Sequence, residues 1–203
     1  MTGRATHATA RRARAVAALL VLLSSLGACS KGESPAPAAS ACPELPGAPV
    51  VDPALLAFLS RARAAHHMAD RHEEAAELPA AIAALGKLLA GPTPGGDAPL
   101  PEVREVLADT HARLADLESQ LGQYEAAERH VTLGLKGATE PSYFQGHLFE
   151  VRGLLEERRA KFLRERGRPE DADRASRAAI AAFEQAMQIQ ARVIERTLGR
   201  DAQ

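Results

Sequence analysis

The sequence is poor in aromatic residues and in cysteine, and it contains no tryptophan. Phenylalanine, tyrosine and tryptophan together make up 3% of its 203 residues, and Cys29 and Cys42 are the two cysteines. Two cysteines are too few for a disulfide framework or for a zinc site built from cysteines. A core without large aromatic rings must be filled by alanine and aliphatic side chains, and such small side chains let helix axes approach closely.

The sequence also lacks the motifs of the common catalytic sites. There is no Gly-x-Ser-x-Gly turn for a nucleophile, and no histidine and cysteine are paired within the predicted folded part. The glycine-rich stretch 91–96 contains two prolines and is not followed by Gly-Lys-Ser, so it does not match a phosphate-binding loop. We therefore expect a protein that is not an enzyme and that uses no cofactor.

The first 28 residues have the composition of an export signal. Four arginines and no acidic residue precede the apolar run 15–23. With the two serines that follow, the apolar segment is about 12 residues long, whereas a membrane-spanning helix needs about 20. This stretch predicts a signal peptide, residues 1–28, that is removed on export.

The end of this stretch, Leu26-Gly27-Ala28-Cys29, resembles the lipobox of bacterial lipoproteins. The resemblance implies cleavage before Cys29 and attachment of lipid to its thiol, which anchors the chain to a membrane. Ser30 follows where an aspartate would signal retention, so the resemblance implies the outer membrane rather than the inner one, with the domain facing the periplasm or the cell surface. Cys42 is then left as a free thiol or as a bridge to another chain.

Loss of the signal peptide makes the chain acidic. It removes four arginines and leaves 21 basic against 26 acidic residues. Nucleic-acid binding needs a basic face, so we expect no nucleic-acid partner. Residues 29–52 are rich in proline and alanine and predict an extended tether, which leaves residues 53–203 as the folded domain.

Apolar residues recur at helical spacing through the domain, and strand signals are scarce. One such stripe contains Ile180, Phe183, Met187 and Ile194 and is widened by Ala179, Ala186 and Val193. Stripes of this kind would supply the packing between helices. Prolines and glycines separate the periodic segments. The sequence predicts an all-α fold with six helices at 53–75, 77–90, 100–121, 123–137, 142–166 and 171–198.

The middle of the domain resembles a tetratricopeptide repeat. A weaker copy begins at Met68-Ala69, and 179–186 is similar to the second helix of a third unit. The resemblance implies an array of about three antiparallel helical hairpins, tetratricopeptide-repeat-like, with the last hairpin lengthened. His111 stands where the family has tryptophan. The family pattern is carried by Leu114, Ala115, Gly122, Tyr124, Ala127, Val131 and Pro141.

In such arrays the first helix of each hairpin lines a groove that holds a partner peptide. The acid-leaning lining would favour a polar or basic peptide. We expect a membrane-anchored protein–protein interaction or scaffold module of the bacterial cell envelope, whose anchor raises the local concentration of partners. The resemblance implies a groove lined by Arg63, His66, Asp70, Glu73, Asp109, Ala112, Asp116 and Ser119.

A cluster of histidines on the first predicted helix offers an alternative hypothesis. His66, His67 and His72 lie near Asp70, and His66 and Asp70 are four residues apart on one helical face. Two histidines and a carboxylate can bind a transition metal, although no His-Glu-x-x-His motif is present. The alternative is therefore a periplasmic metal- or small-ligand-binding protein. The preferred interpretation of the cluster is a solvated polar helix face.

Overall fold

The computed structural model describes residues 52–96 and 98–201. The predicted signal peptide, the lipobox with Cys29, and all of the tether except its last residue lie outside the described residues. Within them the chain forms six α-helices and no strand, which confirms the all-α prediction. The helices are α1 (Pro53–Glu74), α2 (Leu78–Leu89), α3 (Pro101–Gln120), α4 (Tyr124–Gly137), α5 (Tyr143–Glu165) and α6 (Pro169–Asp201).

Local sequence signals account for the helix bounds, which lie within three residues of the predicted ones. A proline occupies the first turn of α1, α2 and α3, where its missing N–H has no helical partner to lose. Asp52 and Ser142 accept hydrogen bonds from the first turns of α1 and α5, at 2.8 and 3.2 Å. Gly122 and Gly167 follow α3 and α5 with φ of 74° and 70°, a conformation that favours glycine.

Helix α3 is the centre of the packing. It contacts α1, α2, α4 and α5, while α6 packs against α5 alone. The odd-numbered helices also contact one another in order, α1 with α3 and α3 with α5, whereas α2, α4 and α6 do not contact each other. The largest buried cluster joins α3, α4 and α5 through Ala108, Ala112, Ala115, Ala127, Val131, Leu148, Val151 and Leu155.

Helix α6 buries one edge of the predicted stripe, with Ala179 and Ala186, and leaves most of its large members outside the contact. Ile180, Met187 and Ile194 were expected in the packing stripe, but they are 58%, 62% and 58% exposed. That part of the prediction is wrong, because α6 approaches α5 with its smallest side chains and turns its larger ones outward. The face towards α5 buries Ala172, Ala175, Ala179, Ala182, Ala186 and Ile189.

Close contact between α5 and α6 depends on glycine in α5. A Cβ atom at Gly153 would lie 2.5 Å from Cε1 of Phe183, and one at Gly146 would lie 3.1 Å from Cγ of Gln190. Phe183, the remaining member of the predicted stripe, is half-buried because it occupies the space beside Gly153.

Among the helices described, none combines the length and the apolar character needed to cross a membrane.

Candidate functional site

An arginine on α3 joins it to α1. The Nη2 atom of Arg113 donates to Asp70 Oδ1 and to Glu73 Oε1, both at 2.5 Å, and its Nε donates to the same Glu73 oxygen at 3.1 Å. Burial acts against the charge on Arg113, but the hydrogen bonds from Glu73 and Asp70 outweigh it, so the pKa of the guanidinium is raised. The contact is therefore a charge-assisted link between two helices.

A second arginine joins α5 to α3 in the same manner. Arg158 Nη1 donates to Asp116 Oδ1 at 2.8 Å and to Ser119 Oγ at 2.5 Å. The backbone carbonyl of Arg158 accepts a hydrogen bond from the hydroxyl of Tyr124 at 3.2 Å, which also connects this point to α4. We call these two contacts the arginine bridges.

The two arginine bridges repeat along the chain. Asp70 and Asp116 are 46 residues apart, as are Glu73 and Ser119, and the two arginines are 45 apart. Each bridge thus uses an acidic residue and a second acceptor three positions later on one odd-numbered helix, and an arginine on the next. The four acceptors were among the residues predicted to line a groove, whereas neither arginine was predicted, although this shared spacing is visible in the sequence.

His66 adds a neutral contact between α1 and α3. Its Nε2 lies 3.0 Å from the hydroxyl of Thr110, whose own proton is donated to the Val106 carbonyl at 2.7 Å. His66 must therefore be the donor, with its proton on Nε2. Burial lowers the pKa of His66, an effect that Asp109, 3.8 Å from Nδ1, opposes. His66 is consequently a buried hydrogen-bonding group of the helix interface.

The residues predicted to line a groove have several environments. Arg63 is exposed on α1, and Asp109 lies at the edge of the contact between α1 and α3. Ala112 and Ser119 are 0% and 2% exposed and cannot line an open groove. Ala112 packs in the core because α3 lies between two neighbours. His66, Asp70, Glu73 and Asp116 are brought together with neighbouring odd-numbered helices, as described above.

Two further histidines meet between α3 and α4. Nδ1 of His111 lies 2.9 Å from Nδ1 of His130, so one of these atoms must donate and the other accept. Burial, reinforced by His130, lowers the pKa of His111 to about 4, and burial also lowers that of His130. Nε2 of His130 lies 3.5 Å from Oε1 of Glu118. Both rings are neutral at pH 7.

A cleft opens beside this histidine pair. It has a volume of about 470 Å³, and His111, Arg104 and Lys136 lie on its wall together with Leu107 and Leu133. Among the described residues, no acidic side chain lines it, and neither Arg104 nor Lys136 forms an ion pair. This basic cleft and the charge-balanced arginine bridges are therefore electrostatically different surfaces of the same helix, α3.

The histidines of α1 do not converge. His66 is directed to Thr110, His67 is exposed, and Nδ1 of His72 lies 2.8 Å from Oε2 of Glu77. Across residues 52–96 and 98–201, no group of three or more metal-binding side chains could hold an ion. The metal-binding alternative therefore has no supporting cluster in this part of the chain.

Comparison with known proteins gives no relative from which a role could be transferred. No family model, no curated protein and no solved structure matches the chain. The function must be argued from the chain's own residues.

Proposed function

We propose that this protein is a lipid-anchored interaction or scaffold module of the bacterial cell envelope. In this proposal the six helices form three antiparallel hairpins in a tetratricopeptide-repeat-like array, with the last hairpin lengthened. The odd-numbered helices present a peptide-binding face, and lipid on Cys29 holds the array at a membrane.

The helix contacts support an array of hairpins. Each odd-numbered helix packs against the helix that follows it, and the odd-numbered helices form a layer. Gly146, near the start of α5, lies beside Gln190 of α6, whereas Arg164, near the end of α5, donates to Ser176 near the start of α6 at 2.7 Å. The start of each helix thus lies beside the end of the other, as expected of two helices that run in opposite directions.

The repeated arginine bridges carry the proposal. Each bridge fixes one odd-numbered helix against the next through a buried or half-buried guanidinium, whose fork geometry restricts both sliding and rotation. A layer held in this way is preorganised, so less conformational entropy is lost when a partner binds. Because Asp70, Glu73 and Asp116 are already paired with arginine, the bridged part of the face is close to charge-balanced. We therefore propose a polar peptide of mixed charge as its ligand.

Site-specific photo-crosslinking tests the proposed face. A crosslinking amino acid placed at Arg63 or Asp109 of the full-length chain should capture a partner protein in intact cells. Matched positions on the even-numbered helices, the exposed Lys87 of α2 and Thr132 of α4, should not capture it. Mass spectrometry would identify the captured protein. Equal capture at Thr132 and at Asp109 would contradict a binding face on the odd-numbered helices.

Acyl labelling tests the proposed anchor separately. Cys29→Ala should abolish incorporation of a labelled fatty acid and leave an uncleaved or released chain, because no other residue of the lipobox can form the thioether. Cys42→Ala is the control and should keep both the label and the membrane location. A labelled, membrane-bound Cys29→Ala chain would overturn the anchor without affecting the proposed binding face.

A further inference from the structure

The outward face of α6 carries large apolar side chains that nothing in the described structure covers. Ile180, Met187, Ile194 and Leu198 are 58%, 62%, 58% and 65% exposed. Single exposed aliphatic residues are ordinary on protein surfaces, but a continuous row of them marks an interaction site. We call these four residues the apolar row.

The apolar row lies along a single line of the helix. Ile180 and Leu198 are 18 residues apart, which is five complete turns at about 3.6 residues per turn. Met187 and Ile194 follow Ile180 at steps of seven, a spacing that keeps side chains on one side of a helix. The row lies about a third of a turn around the helix from the alanines that α6 buries against α5.

Part of α6 extends beyond its neighbour. It has 33 residues and α5 has 23, and Gln190 already lies beside Gly146, near the start of α5. The last eight or so residues therefore project about 12 Å further, at about 1.5 Å per residue. Ile194 and Leu198 lie in this projecting part, where α5 offers them no contact.

Three members of the row are placed symmetrically about Met187, and Leu198 lies beyond this symmetric part. Ile180 precedes Met187 by seven residues, and Ile194 follows it by seven. If two copies of α6 run antiparallel with a two-fold axis at Met187, Ile180 of each copy meets Ile194 of the other. Two-fold interfaces use the same patch on both subunits, so they require this kind of self-complementary pattern.

Charges at the edge of the row fit the same arrangement. Arg177 and Glu195 are also 18 residues apart and so lie along one line at one edge of the row. Both are exposed, and neither forms an ion pair with another residue of the described chain. With the axis at Met187, Arg177 of one copy and Glu195 of the other are about two residues, or roughly 3 Å along the helix, from facing each other directly. The long side chain of arginine can span this distance.

We infer that the apolar row pairs α6 with α6 of a second copy of this chain. The pairing is antiparallel about Met187, with Ile180 against Ile194 and Arg177 against Glu195 across the axis. A membrane surface fits this face less well, because acidic Glu184 and Glu195 border the row, whereas membrane-surface helices carry lysine and arginine there. The inference concerns α6 alone and does not depend on the proposed peptide-binding face.

Disulfide trapping in the full-length chain tests the position of the axis. In a Cys42→Ala background, Met187→Cys should form a covalent dimer on mild oxidation, because a residue on the two-fold axis meets its own copy within disulfide reach. Gln185→Cys is the matched control, since Gln185 is also exposed and lies away from the row. Equal yields for the two variants, or a Met187→Cys link to a different protein, would overturn the inference.

A charge exchange tests the pairing independently of cysteine chemistry. Arg177→Glu and Glu195→Arg should each lower the yield of the Met187→Cys dimer several-fold, and the double exchange should restore it. Restoration requires that the two residues meet between identical copies. Both positions are exposed, so circular dichroism should show unchanged helix content in all variants. Dimer yields that stay constant, or a double exchange that fails to recover, would contradict the model of two paired α6 helices.

Discussion

The contacts of α3 with α1, α4 and α5 differ in chemistry from the contact between α5 and α6. Around α3, helices meet through arginine–carboxylate bridges, a histidine–hydroxyl hydrogen bond and a histidine pair. Between α5 and α6, they meet through alanines on α6 and through glycine on α5, with Phe183 filling the space beside Gly153. The contacts of α3 therefore add directional polar groups to an apolar core, whereas the contact between α5 and α6 depends chiefly on close approach.

The difference shows two ways of fixing one helix against another. Polar bridges define register, because hydrogen-bonding groups must meet at particular atoms. Small-residue packing allows a long contact at short separation, but it leaves the larger side chains of the helix without a place in that contact. Because α6 contacts α5 mainly through alanine, its larger apolar side chains remain exposed as the apolar row.

The largest effect should come from filling the space at Gly153. Gly153→Leu would force its side chain into the ring of Phe183, and we expect the free energy of unfolding to fall by about 3 kcal/mol. Gly86→Leu is the matched control in α2, because a Cβ there meets nothing within 4 Å. Denaturant unfolding measures both changes. Equal losses would show that close approach is not what holds α5 and α6 together.

Acidification should weaken the polar contacts around α3. The pKa of His111 is about 4 in the folded chain against 6.5 for a free histidine, so the folded state binds fewer protons between these values. The contribution of His111 to the free energy of unfolding is therefore complete above pH 6.5 and is lost as pH drops towards 4. The loss is about 2 kcal/mol once solvent screening is allowed for.

Chemical unfolding at several pH values measures this loss. His111→Gln retains a neutral hydrogen-bonding side chain and removes the titrating group, so its stability should fall less steeply over the same range. Parallel profiles for the variant and the unaltered chain would assign the acid sensitivity to other groups, such as His66 and His130, whose pKa values are lowered in the same direction.

A smaller effect should distinguish a bridge between helices from an ion pair within one helix. Arg113→Ala leaves Asp70 and Glu73 close together without their shared cation, and we expect a loss of about 1–1.5 kcal/mol. Arg71→Ala removes a highly exposed pair with Glu74 within α1, and its loss should be at most about 0.5 kcal/mol. Thermal unfolding of the two variants would show whether Arg113 contributes more than an ordinary surface pair.

The helix bounds could be predicted because their causes are local. Proline in a first turn and glycine after a last turn act within a few residues, so Gly122 and Gly167 can be interpreted without knowing the rest of the fold. The face that α6 buries could not be obtained in this way. Isoleucine and methionine are more apolar than alanine, but the contact with α5 is formed by the alanines and Ile189 of α6, with Phe183 in the space beside Gly153.

The candidate site was predicted only in part. His66, Asp70, Glu73 and Asp116 were predicted as groove-lining residues from the tetratricopeptide-repeat resemblance. Their partners Arg113 and Arg158 lie more than 38 residues away along the chain and become partners only when α3 lies between α1 and α5. The His111–His130 pair likewise depends on how α3 packs against α4.

The arginine bridges also determine where this layer of helices can bend. They connect α1 to α3 and α3 to α5, whereas the even-numbered helices have no contacts with one another. Polar contacts at particular atoms therefore fix the spacing of α1, α3 and α5, whereas α2, α4 and α6 are held through the odd-numbered helices beside them. Changes in curvature should occur by spreading α2, α4 and α6, while the spacing of the odd-numbered helices stays constant.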